Sequence, residues 1–169
     1  MGNNKLITFE FILVFLFVAL CASCSHLKSR PPSAETMDRF VIQNTKDLSN
    51  VVDYLLNYDA NSVNISSSDG SALSDFERVV ITDEPVLASV RTLWQNGCIN
   101  ITKDVERNEI IFMIWKRSMD EADCGIVFAL NNEVQPEVQF QTELIPLSEN
   151  GWYYYLAEYN KWRASSRAG

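Results

Sequence analysis

Histidine is nearly missing: the chain of 169 residues holds one, His26. Without more imidazole, the sequence lacks the usual general base for a Ser or Cys nucleophile and the commonest neutral metal ligand. Triad hydrolases and zinc enzymes are therefore not expected. Cysteine is scarce too. Of four, Cys21 and Cys24 lie near the start, leaving Cys98 and Cys124 for the rest, too few for a disulfide-stapled miniprotein. Basic residues are outnumbered, with 13 Lys and Arg against 21 Asp and Glu from residue 25 to 169, so the net charge of −8 belongs to that part. Nucleic acid and a broad membrane-facing surface are poor partners for such a domain. Long apolar runs are absent beyond the first 24 residues, which excludes a polytopic membrane protein.

What is present begins with those 24 residues, 17 of them apolar. Phe11 to Ala22 is an uninterrupted apolar run of 12 that follows Lys5 and precedes small residues, which is the anatomy of a signal peptide. As a helix it spans about 18 Å, short of the ~30 Å hydrocarbon core of a bilayer. The run ends in Leu20, Cys21, Ala22, Ser23 and Cys24. This end resembles the lipobox of bacterial lipoproteins, in which small residues precede an invariant Cys. The resemblance covers the leader alone. It implies cleavage before Cys24, a diacylglyceryl thioether on its thiol, and a domain held at the cell envelope outside the cytoplasm. Two acyl chains give stable anchoring where a single one is marginal. Cys21 stands where Leu is most common in that pattern. The expected division is thus a signal peptide over 1–23, the lipidated Cys and a tether over 24–33, and one globular domain over 34–169.

The tether reads SHLKSRPPS from Ser25 to Ser33, a polar spacer closed by Pro31 and Pro32. Beyond it, Leu48, Val51, Val52, Leu55 and Leu56 recur at one-face helical spacing and predict a helix over about Thr45 to Tyr58. Met37, Phe40 and Val41 continue the spacing back toward Ser33, with a short Phe40–Ile42 strand as the alternative. Val63 to Ser66 reads as a strand, Asp69-Gly70 as a turn, and Val79 to Ile81 as a strand. A second helix is framed by Asp83 or Glu84 as cap, Pro85 in the first turn and Gly97 past the end. From there, Cys98–Lys103, Glu109–Lys116, Cys124–Leu130, Gln139–Leu147 and Trp152–Tyr159 read as strands. The fold class is α+β: two main helices on one face of a mostly antiparallel sheet of about five to seven strands.

Two hairpin registers follow. A turn at Glu106-Arg107 sets Ile101 opposite Phe112, because a one-residue slip would pair Asn100 with that ring. Asn150-Gly151 predicts a type I′ turn, setting Leu147 opposite Tyr154 and Glu143 opposite Glu158. In this meander Cys98 and Cys124 are separated by a strand, about 10 Å apart and beyond the ~7 Å reach of a disulfide, so two buried thiols are expected; a disulfide is the alternative and requires a different strand order.

The candidate chemistry is sparse. Alternation puts Tyr153 and Tyr155 on the opposite face of their strand from Trp152 and Tyr154. With Trp162 they form a candidate ligand-binding platform for a glycan or a protein, unless a helix or loop covers them. Glu143 facing Glu158 has the spacing of a retaining glycosidase pair, which carries the alternative reading of an envelope glycan hydrolase. Asp120, Glu121 and Asp123 lack the spacing and Gly of a calcium loop. The sequons at Asn64 and Asn100 matter only in a eukaryotic secretory pathway. No metal or cofactor is expected. The reading is a lipid-anchored, noncatalytic binding domain, an immunity-type protein being one subclass; the alternatives are the envelope glycan hydrolase and a structural accessory subunit.

Overall fold

The computed structural model describes residues 30–118 and 121–165; the leader, Cys24, most of the tether and Asp120 lie outside them. Residues from Pro32 onward form one compact unit.

Helix α1 runs Ala34–Asn57, so the early apolar spacing belongs to the helix and the strand alternative does not form. Ser33 caps it by accepting the Thr36 N–H. Midway, Asn44 leaves helical geometry at φ −115°, ψ 15°. Its buried side chain donates to the Phe40 carbonyl (2.8 Å) and accepts from Asn96 (2.6 Å), so the kink is also a cross-link to the end of the second helix. Three short strands follow: β1 (Ser62–Ile65), β2 (Ser71–Ser74) and β3 (Glu77–Val80). Helix α2 (Glu84–Gln95) starts on Asp83, whose carboxylate accepts the Val86 N–H at 3.1 Å. Then come β4 (Asn100–Asp104), β5 (Glu109–Ser118), β6 (Ala122–Ala129), β7 (Gln141–Pro146), β8 (Trp152–Glu158) and the short α3 (Tyr159–Ser165).

All eight strands form one antiparallel sheet in the order β3-β2-β1-β4-β5-β6-β8-β7. The α+β class and the antiparallel sheet are as expected. The count exceeds five to seven and a third helix is added. Polar Ser71-Ala72-Leu73-Ser74 carries too little apolar alternation to announce β2.

On the inner face, Ile65, Ile101, Phe112, Cys124, Ile126 and Tyr154 pack against Val41, Leu48, Val51 and Leu55 of α1 and Val90 and Leu93 of α2. Ile101 pairs with Phe112, as the alternation required. Cys98 and Cys124 are buried free thiols flanking β5.

The last hairpin departs from expectation by two residues. Ile145, not Leu147, pairs with Tyr154, and Leu147 bonds to Trp152 instead. Positive φ is confined to Gly151 in this loop, whereas a type I′ turn needs it at both central residues. The cause is long-range. Asp38 of α1 captures the backbone N–H and hydroxyl of Ser148 (2.8 and 2.7 Å), drawing Ser148 out of the ladder and widening the loop.

The sequon residues sit on adjacent strands. Asn100 donates to Asn64 (3.0 Å) and accepts from Thr102 (2.8 Å), a polar ladder on the outer face.

Candidate functional site

The aromatic platform expected at Tyr153, Tyr155 and Trp162 does not assemble. Tyr155 does point to the outer face, but only 1% of it is exposed. Residues 131–140 cover that face, and Val138 packs with Val127, Tyr155 and Ala157 into a second, smaller core that Tyr153 borders half-buried. The cover is clasped by Asn108, which holds the backbone at Asn131 and Val134, and by the Arg107 carbonyl, which accepts the Glu137 N–H. Trp162 keeps 39% of its surface exposed and meets Phe140 (4.9 Å) and Tyr159 (6.5 Å) at the rim. These rings close the small core.

The carboxylate pair is also separated by the shifted register. Glu143 faces Leu156, and Glu158 accepts from Lys161 (2.6 Å) and Thr142 (3.3 Å). The two carboxylates therefore do not face each other as a retaining pair requires.

Open, chemically furnished surface is found instead where α1 ends. Its C-terminal half and the start of α2 bound a groove of about 460 Å³, lined among others by Asn50, Asp53, Tyr54, Asn57, Tyr58 and Asp83. Helical spacing explains the wall: Tyr54 and Tyr58, four residues apart, meet at 5.6 Å between ring centroids with their planes tilted by 36°. Asn50 donates to Ser89 (3.0 Å) and fixes the two helices against each other. Burial raises the Tyr54 hydroxyl above its ordinary range, with further pushes from Tyr58 and from the charge of Asp83. Tyr54 and Asp83 line the same groove.

A second hollow of about 390 Å³ shares Asn57 and Tyr58 and continues to Asp59, Asp75, Lys103 and Val105. Lys103 projects from β4 to the inner face, and its ammonium donates to the Tyr58 carbonyl at 2.9 Å. That cation sits at the negative end of a helix whose own last turn has no basic residue. Desolvation lowers its affinity for a proton, opposed by Asp59 and Asp75.

Beside Asp75, the two-residue loop joining β2 to β3 consists of Asp75 and Phe76, at φ 44° and 74°. Asp75 braces the loop through the N–H groups of Ser62 (2.9 Å) and Asn61 (3.4 Å). The Phe76 ring is 95% exposed.

A third hollow of about 490 Å³ lies along α2, lined by Ser68, Asp69, Arg91, Trp94 and Gln95. Its carboxylate, Asp69, already accepts the Ser71 N–H at 2.8 Å and is lowered in pKa chiefly by Ser71 hydrogen bonds.

Sequence reasoning placed Asp83 as a helix cap but passed over Asp53, Tyr54, Tyr58 and Phe76. The aromatic pair four residues apart, each following an acid or amide, was a readable signal. Phe76 was not, because Asp-Phe is no customary turn pair. No family model, curated protein or solved structure matches the chain.

Proposed function

We propose that this chain is a lipoprotein of the cell envelope, held at the membrane through lipid on Cys24 and facing outside the cytoplasm, whose acidic α+β domain binds a partner without catalysing a reaction. The observation that carries the binding reading is the end of α1, where two open hollows, a tyrosine pair in ring contact and several carboxylates lie together. The anchor rests on the apolar run and the small residues before Cys24. Helix α1 begins directly after Ser33, and both hollows lie at its C-terminal end.

The anchor is tested by fatty-acid labelling of cells that produce the chain. Wild type takes up label and is shortened, whereas Cys24→Ala takes up none and accumulates at full length. Label retained by Cys24→Ala removes the anchor from this reading.

A further inference from the structure

We infer that the surface at the C-terminal end of α1 docks a basic segment of a partner protein, with Phe76 entering an apolar recess of that partner while Asp53 and Asp83 receive its Arg or Lys side chains beside Tyr54. This deepens the binding reading above and rests on it.

The argument starts from strain. Two-residue hairpin loops with positive φ at both positions are ordinarily Asn-Gly or Asp-Gly, because a Cβ is disfavoured there. Left-handed geometry is unfavourable for an L-residue, and Phe has no short polar side chain to recover the loss. Here the side chain held in that conformation is a large apolar ring in water, on a loop braced by Asp75. Folding gains nothing from such a ring, whereas an exposed rigid aromatic is the usual anchor of a protein interface.

Charge decides the kind of partner. Lys103, the cation in the second hollow, is bound to a carbonyl and balanced by Asp59 and Asp75. The adjoining groove is lined by Asp53 and Asp83 together with Tyr54 and Tyr58, and by no basic side chain. A guanidinium or ammonium over a tyrosine face, with a carboxylate beside it, gains from the ring quadrupole and from the ion pair together. An anionic bilayer fits less well. The ring is flanked in the chain by the carboxylates Asp75 and Glu77, which an anionic surface repels.

The test uses the full chain in its own membranes, with a benzoylphenylalanine crosslinker at position 76 and, in a separate chain, at position 162. The expected result is a protein adduct from position 76 whose crosslinked peptide is rich in Lys or Arg. Its yield should fall at least tenfold in Asp53→Asn/Asp83→Asn. Asn caps a helix as well as Asp, so that variant keeps the α2 start and an unchanged melting temperature. An adduct with lipid at 76, an acidic or neutral peptide, or a yield insensitive to the double variant overturns the inference. A protein adduct at 162 alone overturns it while leaving a binding protein. Silence at both positions removes the binding reading as well.

Discussion

The two faces of the sheet are built differently from the same strands. The inner face is covered by two helices whose aliphatic stripes were visible as spacing, and the strand residues beneath them are almost wholly apolar. The outer face is covered over its β5 to β8 half by residues 131–140, which have no regular structure, and its core contains far fewer side chains. Polar groups also differ. Lys103, buried toward the helices, has its carbonyl partner, whereas Glu109 Oε2 and Tyr155 Oη on the outer side have no hydrogen-bond partner among the described residues. Each such orphan costs about 1–3 kcal/mol. One face therefore holds the fold, and the other opposes it in part.

The sharpest way to test that asymmetry is to remove a ring from the inner face. Phe112→Ala should destabilise by about 3–5 kcal/mol in chemical denaturation, since the site is closed on all sides by packed neighbours. A loss below ~1 kcal/mol would mean that the inner core is not the main support.

The next effect is pH-dependent. Glu109 is 2% exposed, and burial, followed by the balance of Arg107 against Asp104 and Glu137, pushes its pKa up to about 8 from 4.5. A native carboxyl that keeps its proton while the unfolded one loses it is stabilising at low pH. Stability contributed by Glu109 is complete below about pH 4.5, declines up to about pH 8, and is flat beyond. A few kcal/mol is the expected scale. Thermal melts should show this slope in wild type and not in Glu109→Gln; an equal slope in both would assign it elsewhere.

Smaller still is the clasp. Asn108 sits at φ 58°, which Gly tolerates, so Asn108→Gly removes the side-chain bonds to residues 131 and 134 without backbone strain. A loss of about 1 kcal/mol is expected, together with faster hydrogen exchange confined to residues 131–140. Exchange that accelerates equally in α1 would show the two faces to be one cooperative unit. The smallest effect is Tyr155→Phe, which deletes the orphaned hydroxyl and keeps the ring. Near-neutral or slightly raised stability is expected, whereas a loss above ~1 kcal/mol would show that the nearby Asp123 accepts from it.

The same asymmetry explains what could be read in advance. The inner face writes itself into sequence as periodicity: Leu48, Val51 and Leu55 for a helix, Ile101 and Phe112 for a register. The outer cover does not. Val138 in the run from Asn131 to Phe140 has no periodic partner, so alternation assigned Tyr155 its side correctly but could not tell that the side was closed. The Ser148 displacement was equally hidden, because its cause lies 110 residues away at Asp38. Phe76 required a backbone conformation that its own identity argues against.

Lys103 also guards the strand order. In a sheet with one covered face, sliding β4 by a single residue past β5 turns each of its side chains over. The ammonium would then leave the helix end, and Asp104 or Thr102 would take its place beneath the Tyr58 carbonyl. Asp104 would set negative charge against negative charge, and Thr102 would leave the helix without its cation. A buried lysine at this position thus penalises misaligned registers of β4, and α1 and β4 each constrain the placement of the other.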